Sequence, residues 1–131
     1  MPKLGGILES ALYVEDMARA SEFYHRVLGL EVIDSSDRLI ALGVAGRQVL
    51  LLFKKGGSAS LPRTPHDGSG HLHLAFAVSA PELATWRNTL EQENVPIEEE
   101  RDWDRGGKSL YFRDPDGHLL EFATPGVWSI Y

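Results

Sequence analysis

The apolar positions of this chain follow two periods, and the two alternate in the same order twice. Ile7 to Val14 is rich in apolar and β-branched residues and predicts a strand. Met17, Ala20, Phe23, Tyr24, Val27 and Leu28 then recur at helical spacing. Asp16 is placed to cap that helix, and Gly29 to end it as a left-handed residue. Three short strands are predicted next, Glu31–Ser35, Leu39–Val44 and Gln48–Phe53, with turns at Ser36-Asp37 and Ala45-Gly46. From Gly56 to Gly70 the periodicity lapses into glycine, serine, proline and charge, which predicts a linker or a mobile loop.

The order then repeats. His71–Val78 predicts a strand, and Ser79-Ala80-Pro81-Glu82 has the form of a capping box with an early proline. Leu83, Trp86 and Leu90 mark one helical face, which Asn94 and Pro96 end. Ile97–Arg101, Lys108–Phe112 and Leu119–Ala123 supply three more strands. Between the last two lies Asp114-Pro115-Asp116-Gly117, a tight turn by composition. The expected fold class is α+β, two βαβββ modules: module one at about 5–55, a linker at about 56–70 and module two at about 71–125. Glu9-Ser-Ala-Leu-Tyr-Val lies over His73-Leu-Ala-Phe-Ala-Val without a gap, which sets Glu9 on His73.

Side chains alternate across a strand. Glu9, Ala11 and Tyr13 therefore share one face of the first strand, and Leu12 and Val14 the other. In the fifth strand His71, His73, Ala75 and Ala77 oppose Leu72, Leu74, Phe76 and Val78. In the last, Leu119, Glu121 and Ala123 oppose Leu120 and Phe122, and in the strand before it Ser109, Tyr111 and Arg113 oppose Leu110 and Phe112. One face is thus built to pack on helices. The other combines small residues with isolated polar ones, as a sheet curled around a pocket requires. A carboxylate inside an apolar strand, as at Glu121, is costly unless something compensates it. One histidine and two carboxylates, His73, Glu9 and Glu121, suit a divalent metal that keeps open positions. Each has a plainer reading alone: a hydrogen-bonded strand histidine, or a carboxylate at an exposed strand start.

Composition narrows the function. The chain has 131 residues, 43% of them hydrophobic, enough for one domain with a real core. No cysteine is present, which excludes disulfides, thiolate metal sites and a cysteine nucleophile. A formal charge of −6 argues against nucleic acid as a partner. No run resembles a signal peptide or a membrane span, so a cytoplasmic protein without membrane association is expected.

Several segments together resemble the vicinal oxygen chelate superfamily, which includes glyoxalase I, fosfomycin-resistance proteins, extradiol dioxygenases and bleomycin-resistance proteins. They are Leu12-Tyr-Val-Glu-Asp-Met17, Phe23-Tyr-His-Arg-Val-Leu-Gly-Leu30, His73-Leu-Ala-Phe-Ala-Val78 and Tyr111-Phe-Arg-Asp-Pro-Asp-Gly-His-Leu-Leu-Glu121. The resemblance implies a cup-shaped mixed sheet with helices on its outer face. It also implies a homodimer in which the first-strand ligand of one subunit joins two later ligands of the other. Carried over by position, the metal ligands are Glu9, His73 and Glu121, where many relatives have histidine or glutamine at the first. The ion would be Mn²⁺, Fe²⁺, Ni²⁺ or Zn²⁺, acting as a Lewis acid on a small substrate that chelates through neighbouring oxygens, in lyase, isomerase or transferase chemistry. Glu9, if it detached, and Tyr111 are the candidate catalytic groups, and Ser109, Tyr111, Arg113 and His71 the candidate substrate contacts. Two departures stand out. Glyoxalase I has a further glutamate where this chain reads Val49-Leu-Leu-Leu-Phe53, and the tail after Glu121 lacks the arginine expected of a fosfomycin enzyme. The alternatives are a metal-free antibiotic-binding protein of the bleomycin-resistance type and an extradiol-type dioxygenase.

The remaining polar residues take plainer expectations. His118 faces solvent from the turn, His25 lies on the polar side of the first helix, and His66 is a candidate lid residue. Glu98-Glu99-Glu100 is a solvated edge that discourages strand pairing. Trp103 and Trp128 line a pocket or a dimer contact.

Overall fold

The structure, a computed structural model, describes all 131 residues. The chain forms two compact units, Met1–Ser69 and Gly70–Tyr131. The first contains β1 (Glu9–Val14), α1 (Met17–Leu28), β2 (Glu31–Ser35), β3 (Leu39–Val44) and β4 (Gln48–Lys54). The second contains β5 (His73–Ala77), α2 (Leu83–Gln92), β6 (Glu99–Asp102), β7 (Lys108–Arg113) and β8 (Leu119–Ala123). Each is a βαβββ module, as the repeated pattern predicts.

Each unit carries one four-stranded mixed sheet, ordered β1-β4-β3-β2 in the first and β5-β8-β7-β6 in the second. The outer pair β1–β4 is parallel, as is β5–β8, and the hairpin pairs are antiparallel. A parallel pair needs a crossover, and the helix with two strands provides it. In the first unit Leu12, Val14, Leu42, Leu50 and Leu52 are buried together with Ala20, Phe23, Tyr24 and Val27 of α1. In the second, Leu110, Phe112, Leu120 and Phe122 are buried with Leu83 and Leu90, and the Trp86 and Phe112 rings lie 4.7 and 4.8 Å from Phe122. Burial of each large side chain here contributes about 2 kcal/mol.

The local signals act as their chemistry requires. The Asp16 carboxylate accepts from the Arg19 N–H at 3.0 Å, and Gly29, at φ 70°, donates its N–H to the His25 carbonyl. The predicted capping box takes another form. Ser79 bonds the Glu82 carboxylate at 2.7 Å rather than a backbone N–H, and a short 3₁₀ turn, Ala80–Glu82, precedes α2. Strand β5 begins at His73, two residues later than predicted, and β6 begins at Glu99 rather than Ile97.

The segment after β4 belongs to the first unit and is tied down there. Ser58 is buried, its hydroxyl accepts from Arg38 at 2.6 Å, and its carbonyl accepts from the His66 N–H. His66 Nδ1 lies 2.7 Å from the Tyr13 hydroxyl, and its ring packs on Phe53. Gly68 faces the Tyr13 ring so closely that a Cβ there would overlap it.

Candidate metal centre

Strand register shows how the repeat distributes its chemistry. Glu9 is paired with Val49, Ala11 with Leu51 and Tyr13 with Phe53. In the second unit His73 is paired with Leu119, Ala75 with Glu121 and Ala77 with Ala123. Glu9 and His73 thus hold equivalent positions, and Leu51 stands where the second unit has Glu121. Ala41 opposes Leu51 as Tyr111 opposes Glu121. One module presents a single carboxylate among apolar neighbours. The other presents a histidine, a carboxylate, a tyrosine and a serine on one face.

Within the second unit these side chains meet. His73 Nε2 is 3.2 Å from Glu121 Oε1, with the glutamate side chain 8% exposed and the histidine 51%. His73 Nδ1 lies 2.8 Å from the Leu119 carbonyl oxygen. A carbonyl only accepts, so Nδ1 carries the proton, and in the neutral ring Nε2 presents a lone pair. That lone pair faces a carboxylate oxygen, which also only accepts. Two acceptors at this distance need a cation between them, either the imidazolium proton or a metal ion. Two ligand atoms, each about 2.1 Å from one ion and about 90–110° apart, lie roughly 3.0–3.4 Å from each other. The observed pair matches, so the donor set fits a divalent metal, and the Nδ1 bond to the backbone orients the ring as metal-binding histidines are oriented.

Glu121 is buried because its second oxygen is satisfied. The Ser109 hydroxyl donates to Oε2 at 2.5 Å, and the Trp103 indole N–H donates to the Ser109 oxygen at 2.8 Å. Tyr111 is buried opposite Glu121, its ring centroid 6.4 Å from that of His73. Glu9 begins β1 of the first unit and is exposed. No three histidine, cysteine, aspartate or glutamate side chains converge within the single chain.

Two predicted site residues do not join this face. Arg113 extends to Glu98, 3.0 Å away, and donates to the Gly117 carbonyl. At the end of β7, those acceptors are nearer than the sheet face. His71 precedes β5 and packs on the turn, its Nε2 2.8 Å from where a Cβ on Gly117 would lie. The expectation for His118 is overturned. It is 1% exposed, and its Nδ1 accepts the Leu72 N–H at 2.9 Å. Asp114 causes this by accepting from the Asp116 and His118 N–H groups, which folds the turn so that the imidazole tucks beneath the start of β5. The acidic run does lie on an edge strand, but its carboxylates are paired: Glu98 with Arg113, Glu99 with Arg101 and Glu100 with Arg87.

Sequence reasoning missed Arg101. Its guanidinium lies 5.2 Å from the Trp103 ring and 5.4 Å from the Tyr111 ring. The signal was available, since Arg101 opposes Ser109 and Glu99 opposes Tyr111, the same alternation that placed the other residues.

Comparison with known proteins agrees with this architecture. The metallothiol transferase FosB of Staphylococcus haemolyticus is 34% identical over 120 residues, covering 91% of this chain and 83% of that protein. A crystal structure of lactoylglutathione lyase from Agrobacterium tumefaciens superposes with a TM-score of 0.90 at 30% identity, covering 98% and 99% of the two chains. The fosfomycin resistance protein FosX of Listeria monocytogenes shares the fold, with a TM-score of 0.71 at 23% identity over 92% of this chain and 91% of that one. Residues 6–122 match the family profile, and the chain belongs to the Glyoxalase/Bleomycin resistance protein/Dioxygenase superfamily.

Proposed function

We propose that this protein is a divalent-metal-dependent enzyme of the transferase or lyase type. In this reading it acts as a homodimer whose metal centres each take Glu9 from one subunit and His73 and Glu121 from the other. The observation that carries it is the pair of acceptors, His73 Nε2 and Glu121 Oε1, held 3.2 Å apart with the histidine proton committed to the Leu119 carbonyl. Without a metal, the same two atoms would need the imidazolium proton between them. The ion would supply Lewis acidity toward a substrate that offers two neighbouring oxygens. His73 is a neutral nitrogen donor, and Glu9 and Glu121 are anionic oxygen donors, a set suited to Mn²⁺, Fe²⁺, Ni²⁺ or Zn²⁺.

The chain's own residues would do the rest. Tyr111, in the register position beside Glu121, is placed to donate a hydrogen bond to a developing oxyanion. Arg101, spread over the Tyr111 and Trp103 rings, would meet an anionic group of the substrate. Glu9 is exposed and borne by an apolar module face, so it is the ligand best placed to exchange between holding the ion and accepting a substrate proton. The two relatives' names, a metallothiol transferase and a lactoylglutathione lyase, support thiol-derived substrates as the first to screen.

The test is elemental analysis of protein purified without chelator or affinity-tag metal, beside Glu121→Ala. About one transition metal per chain, lost in the variant, is the expected result. No metal in the wild type, and no stabilisation on adding any of the four ions, would overturn the reading. Oxygen uptake with a catechol would instead favour dioxygenase chemistry.

A further inference from the structure

The hydrogen-bond chain behind Glu121 has only one possible direction. An indole N–H donates and cannot accept, and an ionised carboxylate accepts and cannot donate. Ser109 lies between them, 2% exposed, so its single proton goes to Glu121 Oε2 and its lone pair takes the Trp103 N–H. Oε2 is thereby occupied, and Oε1 is the oxygen left facing His73 Nε2.

Trp103 is itself held on both sides. Its backbone N–H donates to the Gly107 carbonyl at 2.8 Å, and its backbone carbonyl accepts from the Gly106 N–H at 2.9 Å. Gly107 is pressed against the backbone of Gly126 and Val127, where no Cβ would fit. Arg101 covers the indole face. A loop fixed this firmly, ending in one donor aimed at the serine, is built to position something.

We propose that Trp103, acting through Ser109, is a positioning residue that makes Glu121 a one-oxygen ligand with Oε1 directed at the ion. The proposal rests on the metal reading above. Both members of the relay then set metal affinity without touching the metal. Partners of this kind typically contribute about 10–100-fold in affinity.

Two measurements test it. The first uses metal-free protein: the indole N–H proton resonance of Trp103, assigned by its loss in Trp103→Phe, moves upfield in Ser109→Ala. The second follows Mn²⁺ binding through the electron paramagnetic resonance signal of the free ion. Ser109→Ala and Trp103→Phe each weaken binding by about 10–100-fold. The double variant is no worse than Ser109→Ala, because the two act in series, and Ser109→Thr, which keeps the hydroxyl, retains most of the affinity. A Trp103 resonance unmoved by Ser109→Ala, unchanged affinity in both single variants, or losses that multiply in the double variant would each overturn the relay. Should Trp103→Phe fail to fold, the Ser109 variants decide alone. A wild type that takes up no Mn²⁺ overturns the metal reading and the relay's purpose together, whereas one that binds while the variants bind equally well overturns the relay only.

Discussion

Glu121→Gln separates a metal ligand from a structural carboxylate. The amide has the size and shape of the carboxylate. Its oxygen can take the Ser109 proton now given to Oε2, and its NH₂ can donate to the His73 Nε2 lone pair that now faces Oε1. Both hydrogen bonds survive and a buried charge disappears, so the metal-free variant should lie within about 1 kcal/mol of wild type. Metal is another matter, since a neutral amide is a poor substitute for an anionic ligand. An ion that binds only the folded state, present at about a thousand times its Kd, adds about 4 kcal/mol. At roughly 3–6 °C per kcal/mol for a chain of this size, wild type should gain roughly 12–24 °C in Tm. The variant should gain almost nothing. The assay is thermal denaturation of both proteins at one fixed concentration, after chelator treatment and again with excess Mn²⁺, because subunit association also moves Tm. A metal-free variant weakened by more than about 3 kcal/mol would show that the charge holds the fold. A variant that keeps the full metal-induced shift would show that Glu121 is not a ligand. Either result refutes the reasoning.

Other perturbations have equally definite outcomes. His73→Ala should abolish the metal-induced shift in Tm yet cost the metal-free protein only about 1 kcal/mol, since the half-exposed ring gives up one hydrogen bond to the Leu119 carbonyl. Gly107→Ala should destabilise by about 3 kcal/mol or more in urea denaturation, because the added Cβ meets backbone atoms of Gly126 and Val127 that have no room to yield. His118→Ala strips the part-buried Leu72 N–H of its acceptor and empties the space under β5, so a loss of about 2–4 kcal/mol is expected in the same assay. Asp16→Ala should cost only about 1 kcal/mol, the value of one helix cap, and leave metal binding intact.

The face that carries the candidate site was legible in the sequence up to the point where parity stops deciding. Alternation alone placed His73, Glu121, Tyr111 and Ser109 on one face, and the structure keeps all four there. It placed Arg113 on the same face, yet the long side chain reaches Glu98 and Gly117 instead. Parity directs the Cα–Cβ bond, and a side chain with four rotatable bonds then follows the nearest acceptor. His118 fails for a different reason. A turn by composition suggests exposure, but Asp114 winds this turn so that the ring faces inward. Arg101 was overlooked because the acidic run beside it reads as a solvated edge.

What the sequence by itself determined is local: two repeats of strand, helix and three strands, the helix ends at Asp16 and Gly29, the tight turn before β8, and the face to which each strand residue belongs. These depend on a period of 2 or 3.6 and on single-residue chemistry, both carried by neighbours along the chain. The tertiary structure decided the register that sets Glu121 opposite Tyr111 and Leu51 in the equivalent place of the first unit. It also decided that the His73 proton goes to Leu119, and that Trp103 reaches Glu121 through Ser109. Those contacts join residues up to 46 positions apart, and no local pattern encodes them. They arise when strands pair and buried donors and acceptors must each find a partner, a condition that only the folded chain imposes.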